Sequence, residues 1–538
     1  MALTSIINAD SVDIKALQER ENCEMEIYFG VFFDGTSNNM IPANQAREFR
    51  HRTKSTDKHS YEFEVRDSSE SDIVKNDSKR SSTKYSNVAI LHSYYKAHNK
   101  EDGKKRLVYK IYVEGAGAND INAWNTGKPI VGLGFGLGKT GVVALVSKAV
   151  HSVKTILAAY NKDNRKNISL HFDVFGFSRG AACARLFSYL ISRGDSETLP
   201  EPREAEFGKY DAKKNYKNER LEFIKKSEWA DVSVDFLGIY DTVVSIGFLR
   251  RKDSQGNEEV NKLKLVFNGN KDFDNNYHNK NVTDYGMYSP SMSTVRSTCH
   301  ICAMDEFREN FAITDIGEKI PSSSIELFLP GCHSDIGGGY VNNEDSVFDL
   351  HNKRSLQYFV SDPQMANGKT ETLSGHTLIK LGWAESEKDI HEHNDSIRLK
   401  RKVPNTFCNV PLRLMIDRMS DKLKERVEIF DNSLKTIFKI PTGLNEFYNS
   451  AKQEIMSDGD RKFLYPIGGY SGSNYQTLRQ NYLHFTSSEM VGVSLVNGAN
   501  HISNKVCRIV YHGDKDNENM NYMYDYNKSA ILKANIKS

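Results

Sequence analysis

Cysteine is scarce, with seven in 538 residues. An odd, thinly spread set argues for reduced thiols rather than a disulfide framework. Cys299 and Cys302 form a lone C-x-x-C with no second pair. The spacing reads as two faces of a helix running on to Phe311, not as a zinc or redox site. Charge of one sign is missing as well. The 72 lysines and arginines are matched by 70 aspartates and glutamates, leaving a net charge of +2. That removes the electrostatic case for nucleic acid as the main partner. No run of about 18 apolar residues occurs, so no membrane-spanning helix is expected. The first segment, residues 1–20, sets Asp10, Asp13 and Glu19 in a short apolar stretch without a basic leader. It does not read as a secretory signal peptide, and the expectation is a chain made soluble in the cytoplasm.

What the chain does contain is enough apolar material for a real core, at 38% hydrophobic and 10% aromatic. Its length suits one large enzyme core with insertions, or two to three domains at roughly 150 residues each. Short apolar runs alternate with helical patterns, which points to a mostly parallel sheet with helices on both faces. Strands are expected over 27–33, 107–113, 168–175, 232–240 and 325–329, and helices over 88–97, 140–160, 179–192 and 295–311. Charged or lysine- and asparagine-rich stretches near 43–85, 200–226 and 250–281 read as insertions. A catalytic core is therefore expected over 20–345. A less regular C-terminal region over 346–538, mostly helical over 412–448, would serve as lid, membrane or partner docking and return to the core near 480–512.

Gly176-Phe177-Ser178-Arg179-Gly180 matches G-x-S-x-G. The bare pattern is weak, but an apolar strand runs into it and an alanine-rich helix leaves it, which is the setting of a nucleophile elbow. The glycines let strand and helix pass closely, the turn holds Ser178 in a strained conformation, and the helix N-terminus favours an oxyanion. The expected fold is that of an α/β-hydrolase, with the Arg179 amide as one oxyanion donor.

A serine hydroxyl needs a base, and the base an orienting acid, each just past a strand end in the order Ser, Asp or Glu, His. Asp241 follows one strand. His333 follows another, within Pro330-Gly331-Cys332-His333-Ser334-Asp335-Ile336-Gly337-Gly338-Gly339-Tyr340. His484 and His501 compete as bases and Asp335 as the acid; His484 sits between Leu483 and Phe485, as in a strand. Asp34-Gly35-Thr36 closes the first strand and is placed to give a second oxyanion amide from Gly35 or Thr36, or is a plain strand-end turn.

Two patterns are set aside. Residues 132–140 look like a phosphate loop, but a Walker A motif needs a glycine where Leu133 stands. His391 and His393 lie in what reads as a charged loop, without the spacing of a catalytic zinc site. Neither a metal nor an organic cofactor is expected.

Four blocks together carry a family resemblance: Phe33 to Asn39, Gly176 to Ala181, Gly238 to Val243, and Pro330 to Tyr340. The chain resembles the α/β-hydrolase domain family that includes the first family of bacterial type VI secretion lipase effectors. The resemblance covers about residues 25–345 in spaced blocks. It implies a triad of Ser178, Asp241 and His333 and a phospholipase A activity on membrane glycerophospholipids. It also implies loading on a secretion spike, injection into a rival's periplasm, an immunity protein in the producer, and peripheral membrane contact. Two other readings share the fold: a cytosolic carboxylesterase on small soluble esters, and a non-enzymatic binding or toxin module.

Overall fold

The structure, a computed structural model, describes residues 6–8, 25–36, 85–96, 105–116, 142–193, 224, 226–243, 245–252, 258–267, 295–306, 311, 313–316, 320, 322–340 and 344–351. Beyond these it describes 357–359, 370–372, 374–393, 396–424, 426, 429–464, 472–485, and the short strands at 501–502, 505–506, 509–511, 521–525 and 530–533. The loop at 132–140 and nearly all of 43–85 and 200–226 lie outside the described residues.

Among the described residues eight strands form the main sheet: β1 (Ile6–Asn8), β2 (Met25–Phe33), β3 (Lys105–Val113), β4 (Ile168–Phe177), β5 (Asp231–Tyr240), β6 (Thr298–Ala303), β7 (Ile325–Leu329) and β8 (Asp460–Phe463). Their spatial order is β1-β3-β2-β4-β5-β6-β7-β8. Only β1 runs antiparallel to its neighbour; the other seven strands are parallel. From β2 the chain adds β3 on one side and then crosses to add β4 on the other. The order reverses between β2 and β4, and ligands of such sheets bind outside the strand ends at that point. This is the α/β architecture expected from the alternating pattern.

Both faces of the sheet are covered, which explains why its strands read as continuous apolar runs. Along β2, Ile27, Phe29, Val31 and Phe33 point to one core, joined by Leu170, Phe172 and Val174 of β4. Phe32, Phe175 and Phe177 point to the other. Helix α2 (Val142–Leu157) covers the first face with Val142, Leu145, Val146, Ala149, Val150, Val153 and Leu157, a stripe at helical spacing. Helix α3 (Arg179–Arg193) packs beside it, and α1 (Asn87–Tyr94) lies on the opposite face.

The expected helix over 295–311 is instead strand β6, every residue of which is buried. Cys299 and Cys302 therefore lie on opposite sides of a strand rather than on a helix. Thr298, His300 and Cys302 line one side of this strand and Cys299, Ile301 and Ala303 the other, and both sides are covered, as fits a central strand.

Chain beyond residue 345 belongs to the same body. Helix α5 (Asn409–Lys422) packs on β5, where a Cβ at Gly238 would lie 2.8 Å from the Met415 Sδ. Arg426 donates to both carboxylate oxygens of Asp173 on β4 at 2.6 Å and lies over the Tyr28 ring. The edge strand β8 pairs with β7 from Ile325↔Asp460 to Phe328↔Phe463. The strands at 501–511 join two small sheets instead of the main one. Ser245–Lys252 and Glu258–Phe267 pair as a hairpin that overlaps the start of the expected 250–281 insertion. Among the described residues no helix is long and apolar enough to cross a membrane.

Candidate active site

Strand β4 ends at Phe177 and α3 begins at Arg179, so Ser178 alone makes the turn, with φ at 59°. Ser178 and Asp241 (φ 38°) are the two non-glycine residues of positive φ among the described residues. Such backbone costs about 1–3 kcal/mol and persists where surroundings enforce it. Here they do. The Ser178 N–H donates to the Tyr240 carbonyl at 3.1 Å, and its carbonyl accepts from Ala181 and Val243 at 3.0 and 3.3 Å. Gly180 lets the turn close: a Cβ there would meet the Asp34 carbonyl oxygen at 2.3 Å. The first turn of α3 thus abuts the end of β2.

Asp241 follows β5 and is fully buried. Its N–H donates to the Ile301 carbonyl, and its Oδ1 accepts from the Ala303 N–H, both at 2.8 Å. Its Oδ2 lies 2.5 Å from the His333 Nδ1. With a carboxylate there, Nδ1 carries the proton and Nε2 is left as the basic nitrogen. His333 opens α4 (His333–Gly337), directly after β7, and its N–H donates to Glu306 at 3.1 Å. Its ring lies against Phe177 at 4.5 Å and Phe311 at 5.0 Å. The residue preceding Ser178 thus touches the histidine ring. That closeness depends on Gly337, where a Cβ would strike the Phe177 ring at 2.0 Å.

The loop after β2 completes the arrangement. Arg179 donates from Nε to the Thr36 hydroxyl at 2.8 Å. The Gly35 N–H, however, donates to Asp34 Oδ1 at 2.7 Å. Of the two loop amides expected as alternatives to join that of Arg179, the Gly35 amide is therefore already engaged.

The family model of the T6SS phospholipase effector, Tle1-like, catalytic domain matches residues 71–362, more than half of the chain. The chain belongs to this family. It carries a Tle1-like phospholipase effector domain of type VI secretion, the family that the four motif blocks resemble. Among solved structures it is similar to a Tle1 effector bound to the VgrG spike of a type VI secretion system. That likeness has 18% identity over 99% of this chain and 95% of that chain, with a TM-score of 0.45. An uncharacterized protein from Pseudomonas aeruginosa is similar at 16% identity over 82% of this chain and 52% of that chain, with a TM-score of 0.34. No curated protein matches.

In this Tle1-like effector the competing residues of the sequence form a pair of their own. His484 Nδ1 lies 2.6 Å from Asp335 Oδ1, and the His484 N–H donates to Asp335 Oδ2 at 2.9 Å. The ring stacks on Tyr340 at 3.8 Å. His484 lies just past the helix Gly472–Tyr482 rather than in a strand. Asp335 also accepts from the Cys332 N–H at 3.0 Å, capping α4. Two histidine–aspartate pairs thus flank α4, and only the His333 pair touches the turn of Ser178. His501 is described in its backbone alone.

One group of potential metal donors exists among the described residues, His300, Cys302 and Glu326, all buried. Its histidine is engaged on both sides. Nδ1 pairs with Glu326 at 2.7 Å, and Nε2 accepts from the Thr242 N–H at 3.1 Å. Glu326 further accepts from Arg461. A cation there would have to break these bonds beside a guanidinium, so the cluster reads as a brace under the Asp241 turn. Sequence reasoning missed it because β6 read as a helix, which hides that His300 sits opposite Glu326 across two strands. His391 and His393 lie in the short strand Ile390–His393 rather than in a loop.

Proposed function

We propose that this effector is a serine phospholipase that cleaves acyl esters of membrane glycerophospholipids, with Ser178 as nucleophile, His333 as base and Asp241 as its orienting acid. One observation carries the reading: the buried Asp241–His333 pair converges on the strained turn that holds Ser178. His333 Nε2 takes the hydroxyl proton as Ser178 Oγ attacks the ester carbonyl. The amides of Arg179 and Thr36, with the N-terminus of α3 behind them, stabilise the oxyanion. The imidazolium then gives its proton to the departing alcohol, leaving an acyl-enzyme. A water deprotonated by His333 releases the fatty acid and restores Ser178. Asp241 keeps the Nδ1 proton in place throughout.

Family membership supports the lipid substrate and loading onto the secretion spike, with delivery to a rival's periplasm and an immunity protein in the producer. Contact with the membrane is peripheral. The test is labelling by a fluorophosphonate, followed by product analysis on phospholipid vesicles and on a monomeric short-chain ester. Labelling at Ser178 and release of fatty acid and lysophospholipid from vesicles are expected. Turnover of the soluble ester alone would replace this reading with a carboxylesterase, and absence of labelling would remove the nucleophile.

A further inference from the structure

Asp34 is buried at the end of β2, and among the described residues its carboxylate is held by two hydroxyls and an amide from three parts of the chain. Oδ1 accepts from the Gly35 N–H at 2.7 Å and from the Ser86 hydroxyl at 2.5 Å. Oδ2 accepts from the Tyr112 hydroxyl of β3. Burial pushes the carboxyl up to about 6, against the lowering effect of these bonds.

The groups it holds are those of the site. The loop of Gly35 and Thr36 lies in a slot with no lateral room: a Cβ at Gly115 would fall 1.6 Å from the Gly35 carbonyl oxygen, and Gly180 closes the other wall. Ser86 caps α1 by accepting from the Ala89 N–H at 3.1 Å, and its backbone bridges to Gly338 just past α4. The neighbouring Asn87 donates from Nδ2 to the Ile336 carbonyl of α4 at 2.9 Å. One carboxylate thus links the loop bearing the Thr36 amide to the segment that grips the helix of His333.

We infer that Asp34 is a positioning residue for the hydrolysis, fixing the oxyanion-binding loop relative to the helix that carries the base. The inference rests on the serine mechanism proposed above. By taking the Gly35 N–H for itself, the carboxylate fixes the Asp34–Gly35 peptide plane at the root of the loop, and the next plane, which carries the Thr36 amide, is held from the far side by the close backbone of Gly115. An oxyanion donor counts only when it is held where charge develops, so its misplacement is felt in the transition state and not in substrate binding.

The test compares Asp34→Ala, Asp34→Asn, Tyr112→Phe and Ser86→Ala with wild type and with Ser178→Ala. Turnover is measured on a soluble thioester, and affinity for a long-chain trifluoromethyl ketone reports binding of a tetrahedral adduct. Asp34→Ala is expected to lower kcat on the order of 100-fold, as loss of an oxyanion donor does, with KM within about twofold. Asparagine keeps an acceptor for the Gly35 N–H, so Asp34→Asn should recover about tenfold of that loss. Affinity for the ketone should fall in parallel with kcat, which a purely structural role would not produce in the folded fraction. If Asp34→Ala does not fold, the other three variants carry the test, each with a smaller fall in kcat. Folded variants with wild-type kcat, or with ketone affinity unchanged, overturn the inference while the triad stands. Activity surviving in Ser178→Ala overturns the mechanism itself.

Discussion

The Nε–H of Arg179 reaches the hydroxyl of Thr36 across 2.8 Å, joining the first residue of α3 to the loop after β2. The two residues whose amides are proposed to bind the oxyanion therefore hold each other through their side chains. Burial pushes the Arg179 guanidinium down to about 10, so it stays protonated and donating at neutral pH.

Thr36→Val keeps the shape and the amide but removes the acceptor. It is expected to lower kcat about tenfold with KM nearly unchanged, and Thr36→Ser to restore activity. Steady-state kinetics on a soluble ester decide it: wild-type kcat in the valine variant would show the tie to be idle.

Ser178→Ala should fold as wild type, because alanine inherits the same φ and the turn is held by backbone bonds. Its turnover is expected to fall by about four orders of magnitude. A folded variant keeping more than roughly a tenth of wild-type turnover would remove Ser178 from the chemistry, since loss of a triad nucleophile costs far more.

The two histidine pairs make a sharper comparison. His333→Ala should be as inactive as Ser178→Ala, and the double variant no worse than either, because residues acting as one unit are not additive. His484→Ala should keep most of its activity while losing about 1–3 kcal/mol of stability, the cost of leaving buried Asp335 short of a partner. Denaturant unfolding and initial rates on the same samples separate these outcomes. An inactive but folded His484 variant beside an active His333 variant would reverse the assignment.

Much of this site was legible from sequence because its parts sit at strand ends, where residue type and neighbours are local information. Gly176 to Gly180 carried its own strand, turn and helix in ten residues or so on either side, and Asp241 and His333 each followed an apolar run. What stayed hidden was pairing across distance. Nothing local says that Asp335 bonds His484, 149 residues away, or that Glu326 braces His300. Strand β6 was misread because its Thr298 and His300 side is buried like its apolar side, so its pattern marks no solvent face. The engagement of the Gly35 amide by Asp34 is a matter of rotamer, which no residue pattern encodes.

Glu326 gives a pH test. Burial alone would raise its carboxyl, but Arg461 and the bond with His300 outweigh that and hold it down, to about 2 against the usual 4.5. A carboxyl lowered on folding stabilises above its unfolded value and loses that contribution as pH falls through the folded one. Glu326→Gln should therefore be less stable than wild type by about 3–5 kcal/mol at neutral pH, as when one partner of a buried pair is removed. The gap should shrink as pH drops from 4.5 toward 2. A gap of equal size at the two ends of that range would contradict the pairing.

Turnover of a soluble ester should survive excess chelator, since both nitrogens of His300, in the one cluster of potential donors described, are occupied by protein groups. Loss of activity on chelation, restored by a divalent cation, would contradict a mechanism carried by Ser178, His333 and Asp241 alone.

The matched catalytic region, residues 71–362, does not coincide with the body that the sheet describes. A cut at its start discards β2, the central strand that leads into Asp34 and Thr36 and lies against β4 along its length. A cut at its end discards α5 and β8, stripping the cover from β5 and leaving β7 with a bare, apolar edge open to pairing with other chains. Neither fragment can serve as a portable lipase cassette for fusion to another carrier. Any such fusion has to carry the whole continuous fold from β2 through β8.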